Sequence, residues 1–218
     1  MAYGAEMKRL NPCGDAEILT LLKAYCPAPG RILDAGCGRG DRLAAMHAAL
    51  PEAKLYGIDR EKENADFARN ACPAAEIAVG DLCVLPWAEE GFDTVLCECT
   101  LSLTDDPGMA LAALARSLRP GGVLLLGDLC TEEHEAPAEF VCGTVRRIFS
   151  RAELEQSFAA AGFALKSYQD RRDALLTMAA QMILDGSFCS CLDPAVAAEL
   201  KKYRAGYGLW VLEKEVEV

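Results

Sequence analysis

The stretch Arg31-Ile32-Leu33-Asp34-Ala35-Gly36-Cys37-Gly38-Arg39-Gly40 decides the fold. A short apolar run ends in an acid, Asp34, and opens into three glycines at alternate positions, which reads as a strand, a ligand loop and then a helix. Without a Cβ, glycine lets the backbone turn sharply and come close to a ligand. Spacing selects the kind of ligand. A dinucleotide fingerprint wants its third glycine three residues after the second, so that a pyrophosphate sits on the helix N-terminus. Here Gly40 follows Gly38 by two residues, and Asp34 precedes Gly36 by two. An acid at the strand end suits a cationic ligand better than a phosphate.

Outward from this loop, apolar runs alternate with helical stretches, as in a parallel sheet flanked by helices. An amphipathic helix is expected over 15–25 with Asp15 as its N-cap, then a strand at 31–35 and a helix at 41–49 closed by Pro51. A strand at 54–58, a helix at 61–70 and strands at 76–79 and 94–97 follow. A helix at 109–118, the tight turn Arg119-Pro120-Gly121-Gly122 and a strand at 123–126 complete five strands. Ser150 and Glu153 form a capping box that opens a helix to Ala161, and Gly162 stops it. A strand at 163–168, helices at 172–184 and 194–203 and a last strand at 207–213 finish the chain. The pattern predicts an α/β, doubly wound, Rossmann-like fold with a seven-stranded, mostly parallel sheet and helices on both faces. A helical insertion joins the last two strands, and long connections of this kind are usually functional. One domain is expected over 1–218: an N-terminal lid and helix at 1–29, a cofactor-binding core at 30–165, and the last strands with their insertion at 166–218.

Length and charge set bounds. The 218 residues suit one domain with a substantial core. A formal net charge of -11 argues against nucleic acid as a partner, because a phosphate backbone needs a basic face. The opening Met-Ala-Tyr-Gly-Ala-Glu lacks a signal-peptide pattern and no apolar run is long enough to cross a bilayer, so a cytoplasmic protein without membrane contact is expected. The eleven cysteines do not form a disulfide framework in such a chain, and Cys97 with Cys99 and Cys189 with Cys191 are Cys-x-Cys pairs, not the usual structural zinc spacing. Most of these thiols read as small buried hydrophobes.

The glycine loop resembles the motif of the class I S-adenosylmethionine-dependent methyltransferases, including their type 11 branch. Three further features agree in order and spacing: Asp59 at the end of the second strand, Asp81-Leu82 after the third, and the Arg119-Pro120-Gly121-Gly122 turn. The resemblance covers roughly residues 10–165. It implies S-adenosylmethionine as cofactor, S-adenosylhomocysteine as product and a small-molecule acceptor. It places cofactor contacts at Asp34, Gly36, Cys37, Gly38, Gly40, Asp59, Arg60, Asp81, Leu82 and Cys97, with Asp59 accepting from both ribose hydroxyls and Asp81 from the adenine amine. Asp59 also reads as the N-cap of the next helix, a role compatible with the ribose contact.

Methyl transfer from a sulfonium needs a base only when the acceptor carries a proton. The resemblance puts Cys97 or Glu98 close to the reacting methyl, and His134 lies in an acidic segment after the fifth strand, so these three are the catalytic candidates. Tyr3 and the Asn11-Pro12-Cys13-Gly14 turn resemble a lid. One branch, the arsenite methyltransferases, is similar in its cysteine placement, which would make Cys97 or Cys99, Cys142, and Cys189 or Cys191 ligands for a soft metalloid, with metalloid or thiol methylation as the alternative reading. The chain departs from that branch in lacking a cysteine-rich N-terminal loop and in having a short insertion. No metal site is otherwise expected, and a catalytically silent cofactor-binding subunit is the reading of a different class.

Overall fold

The computed structural model describes residues 12–26, 30–132, 145–185, 198 and 200–216. Helix α1 (Gly14–Tyr25) precedes β1 (Arg31–Ala35), and α2 (Asp41–Ala49), β2 (Lys54–Asp59), α3 (Lys62–Ala71), β3 (Glu76–Val79) and β4 (Phe92–Glu98) follow. A 3-10 turn at Leu101–Leu103 leads to α4 (Pro107–Ser117) and the long strand β5 (Leu118–Thr131). Then come β6 (Phe149–Ser150), α5 (Arg151–Ala160), β7 (Phe163–Asp170), α6 (Arg172–Asp185) and β8 (Gly206–Lys214).

The strands lie in the order β3-β2-β1-β4-β5-β8-β7, with the short β6 beside the end of β5. Strands β1 to β5 are parallel, and β8 runs antiparallel to both β5 and β7. The chain winds outward from β1 to β3, then returns to β4 on the other side of β1. The carboxyl ends of β1 and β4 therefore flank a topological switch point, where open α/β sheets hold their ligands.

Side-chain alternation builds the two layers. Leu33 and Ala35 of β1, Leu124 and Leu126 of β5 and Trp210 and Leu212 of β8 face α4 and α5, where Leu111, Leu114 and Phe158 close the core. Ile32, Val123, Leu125, Leu209 and Val211 face the other way, onto Ile18 and Leu22 of α1 and Leu43 and Met46 of α2. A third cluster, with Leu129, Ile148, Leu175, Met182 and Tyr207, sits at the carboxyl edge.

The architecture follows the sequence pattern, including the connection through α6 between β7 and β8. Some boundaries differ for local reasons. Helix α1 starts at Gly14, with Cys13 as N-cap, so Asp15 lies in the first turn and does not cap it. Helix α4 starts two residues earlier than the periodicity suggests, because Asp106 accepts from the Met109 N–H and Pro107 occupies the first turn. Helix α3 follows Glu61, so Asp59 is not its N-cap residue. Strand β5 is far longer than 123–126 because it pairs with β4, β6 and β8. The two-residue β6 carries no sequence signal of its own. The Ser150 cap holds: its hydroxyl accepts from the Glu153 N–H at 3.1 Å. Half of the helix expected at 194–203 lies outside the described residues; of the rest, 198 and 200–202 are helical. No helix among them is long and apolar enough to cross a membrane.

Gly40 shows how tightly α2 and α3 meet. It has φ +86°, and a Cβ there would lie 2.6 Å from the Ala68 Cα. Gly40→Ala combines that collision with a left-handed backbone cost of roughly 1–2 kcal/mol, so urea denaturation is expected to give a midpoint well below the parent's. An unchanged midpoint would contradict this helix approach.

Candidate cofactor site

The tip of β2 organises the crevice. The Ile58 carbonyl accepts from the Gly36 and Cys37 N–H groups at 2.8 and 2.9 Å, and the Asp59 carbonyl accepts from Gly80 N–H at 3.0 Å. The Asp59 carboxylate accepts from Gly38 N–H at 2.9 Å through one oxygen, and from Glu61 N–H at 2.9 Å and the Asn64 amide at 3.3 Å through the other. Two successive residues thus hold the loops after β1 and β3 and the start of α3. A carboxylate offers about four acceptor positions; Asp59 retains one, and the long Asn64 contact is the easiest to exchange.

The three glycines have separate tasks. A Cβ on Gly36 would lie 2.2 Å from Thr100 Oγ1, so this glycine admits the segment that follows β4. Gly40 packs on α3. Gly38, at φ +54°, would meet nothing within 4 Å of an added Cβ, and is where bare backbone faces open space. Asp34 is buried in β1 below the loop, and Asp81 is exposed at the exit of β3, with one oxygen accepting from Cys83 N–H at 2.8 Å. Leu82 is buried beside it. Cys37 packs into the core against α2, and burial pushes its thiol well up. Arg60 is exposed and pairs with Glu61 at 3.3 Å. Acids at three neighbouring strand ends, one of them bonded to the bare backbone of Gly38, fit a ligand with hydroxyl and cationic donors, such as S-adenosylmethionine.

At the end of β4 the structure departs from the sequence expectation. Cys97 is fully buried between Ala35 and Leu126, in the layer that faces α4, and desolvation holds its thiol far above its ordinary value. It lines no open site, because strand alternation turns it into the core. Glu98 is also enclosed: it pairs with Arg42 of α2, itself only 1% exposed, and accepts from the Tyr207 hydroxyl at 3.0 Å. Arg42 also lies 3.7 Å from Asp15. An ion-paired, hydrogen-bonded carboxylate is a poor proton acceptor. Gly127 makes room for this network, since a Cβ there would fall 2.2 Å from the Tyr207 hydroxyl. Next to it, the buried Asp128 accepts from Ser102 and Leu129 N–H at 2.9 and 2.7 Å, and desolvation raises its pKa.

Arg42, Tyr207 and Asp128 were not among the residues singled out by sequence. An arginine on a helix and a tyrosine in a distant strand carry no local sign that they will meet. Cys99 lies 3.6 Å from the Tyr207 hydroxyl, and burial pushes its thiol well up. Soft-metalloid ligation needs thiolates, which the surroundings of Cys97 and Cys99 disfavour. His134, Cys142, Cys189 and Cys191, together with Tyr3 and Asn11, lie outside the described residues. Among those described, no group of three or more His, Cys, Asp or Glu could hold a metal ion.

A doubly wound sheet with an acid-lined glycine loop at its switch point defines a nucleoside-cofactor fold of the Rossmann-like class. Residues 33–126 match the family described as Methyltransferase domain. O-methyltransferase cnsE of Penicillium expansum is 31% identical over 159 residues, covering 67% of this chain and 57% of that protein. The chain spans about half the length of most of the relatives it matches. Among solved structures, geranyl diphosphate C-methyltransferase from Streptomyces coelicolor, in complex with S-adenosyl-L-homocysteine, superposes with a TM-score of 0.76 at 17% identity over 92% of this chain and 80% of that one. The [4+2]-cyclase SpnF gives 0.75 at 21% identity over 99% and 89%. Over residues 33–126 the chain carries a methyltransferase domain, and it is similar to S-adenosylmethionine-dependent methyltransferases in sequence and in fold.

Two outcomes follow from these groups. Glu98→Gln leaves Arg42 without its main counter-charge, so stability is expected to fall by about 3 kcal/mol; a fall below about 1 kcal/mol in urea denaturation would remove the structural role. The Cys83 thiol is pushed up to about 11 by burial and by Asp81. A raised thiol pKa means that the reactive thiolate grows only as pH rises. Iodoacetamide labelling of Cys83, followed by peptide mapping, should therefore quicken about tenfold per pH unit from pH 8 to 10. A plateau by pH 9 would contradict that environment.

Proposed function

We propose that the protein binds S-adenosylmethionine across the tips of β1, β2 and β3 and catalyses transfer of its methyl group to a small-molecule acceptor, with S-adenosylhomocysteine as product. The observation that carries this reading is the trio Asp34, Asp59 and Asp81 at the carboxyl ends of the neighbouring strands β1, β2 and β3, with Asp59 accepting from Gly38 N–H. Asp59 takes the ribose hydroxyls, through its remaining acceptor position and in exchange for the Asn64 contact. Asp81 and the backbone at Leu82 take the adenine edge. Asp34 supplies negative charge beneath the loop, facing the cationic end of the cofactor. When bound, the cofactor supplies a methyl group on a sulfonium, whose leaving group departs neutral.

The chain's contribution is then mainly to position the reactants and exclude water. Glu98, Cys97 and Cys99 are engaged or buried, so none of them is poised to take a proton from an acceptor. The net charge of -11 disfavours a nucleic-acid acceptor. Relatives named as O-methyltransferases and a neighbour named for geranyl diphosphate C-methylation support a small acceptor. Because a [4+2]-cyclase shares the fold, cofactor binding and turnover must be measured separately.

Calorimetric titration of the full chain with S-adenosylmethionine is expected to give saturable one-site binding, and a small-molecule acceptor panel should then release S-adenosylhomocysteine. Binding without release across the panel would favour a silent cofactor-binding subunit; absence of binding would defeat the reading. Asp59→Ala is expected to weaken cofactor binding by about 1–3 kcal/mol. Full affinity in that variant would show that Asp59 serves the loops alone.

A further inference from the structure

Away from the glycine loop, a cavity of about 500 Å3 opens at the carboxyl ends of β5 and β7, lined by Thr131, Glu132, Asp170, Arg172, Asp173 and Arg204. Strand β8 separates those two strands, which places β7 about 10 Å from β5 and further still from β1. The cavity is therefore not the cofactor crevice.

Arg172 sets its chemistry. Its Nε is buried and has no hydrogen-bond partner among the described residues. The guanidinium is held against the first residue of β8: a Cβ on Gly206 would lie 3.1 Å from Nε and 3.5 Å from Nη2. Glycine at 206 thus makes the space that the guanidinium occupies. Nε itself is closed off, so a ligand meets this guanidinium through its other nitrogens, and an arginine that lines a cavity without a carboxylate partner leaves those donors for an acceptor arriving from outside.

The acids on the same wall do not neutralise it. Glu132 is engaged by the Tyr168 hydroxyl and by Arg151 at 3.5 Å. Asp170 spends one oxygen on the Arg172 backbone N–H at 2.8 Å, and Asp173 is exposed. No ion pair within 4.0 Å joins the Arg172 guanidinium to any of the three among the described residues. Opposite charges held apart around one cavity match a ligand that carries both.

We propose that this cavity binds a small zwitterion of the amino-acid class, with its carboxylate on Arg172 and its ammonium facing Asp170 and Asp173. The site is independent of the cofactor reading. The test is calorimetry on the full chain with L-leucine and L-glutamine, and with isopentylamine and 4-methylpentanoate, which are leucine without its carboxylate and without its ammonium. Saturable binding of at least one amino acid is expected, with both truncated probes at least tenfold weaker than leucine if leucine binds. Arg172→Gln is expected to weaken amino-acid binding at least tenfold and the exposed-site variant Asp173→Asn at least threefold. Titration with S-adenosylhomocysteine should be the same in both variants as in the parent, and circular dichroism with a melting curve checks their fold. No saturable amino-acid binding, 4-methylpentanoate binding as tightly as leucine, or full affinity in folded Arg172→Gln would each overturn the proposal.

Discussion

Two successive residues at the end of β2 carry the geometry on which the crevice depends. The Ile58 carbonyl and the Asp59 carboxylate between them accept from Gly36, Cys37 and Gly38, while the Asp59 carbonyl accepts from Gly80. Backbone N–H groups in a loop need partners as much as those in a strand do. Here one strand end supplies them for two loops and, through Glu61 N–H, for the start of α3. The glycine loop is therefore preorganised by its neighbour and does not wait for a ligand to shape it. A carboxylate near the N-terminus of α3 is also favoured by the helix dipole.

A second constraint lies across the switch point. Arg42, Glu98 and Tyr207 bring α2, β4 and β8 together in a nearly dry network, with Asp128 buried next to it on β5. Burying charge is costly, and the loss is offset only where geometry and additional hydrogen bonds are good. Glu98 has both a guanidinium and a phenol. Such a network gives the carboxyl edge a rigid floor, and it explains why an acid at the end of β4 is not available for proton transfer. The apolar cluster of Leu129, Ile148, Leu175 and Met182 packs with Tyr207 of that network.

Much of the fold was legible because period and punctuation agreed. Strands β1, β2 and β3 were marked by short apolar runs, and Ser150 and Gly162 marked the two ends of α5 within a residue. Where the reading missed, tertiary pairing decided. Strand β5 extends well past its apolar run because β4, β6 and β8 supply partners, and β6 exists only as a pairing with Cys130 and Thr131. Asp15 was in the right place for a cap, but the chain enters α1 one residue sooner and leaves that acid facing Arg42.

The candidate site divides in the same way. Asp34, Gly38, Asp59 and Asp81 are close to strand ends in sequence, so spacing alone determined that they would gather at the carboxyl edge of a parallel sheet. Spacing did not distinguish the tasks of the three glycines, because the atoms that crowd Gly36 and Gly40 come from Thr100 and Ala68, far along the chain. The family resemblance placed Cys97 by the open crevice, whereas the pleat turns that side chain into the core. The sequence by itself determined the family resemblance, the succession of strands and helices and the acids of the loop, since those depend on local period and turn chemistry. Which side chains face a ligand and which face each other was decided by tertiary structure alone, because burial, charge pairing and the room for a Cβ are properties of neighbours that only folding brings together.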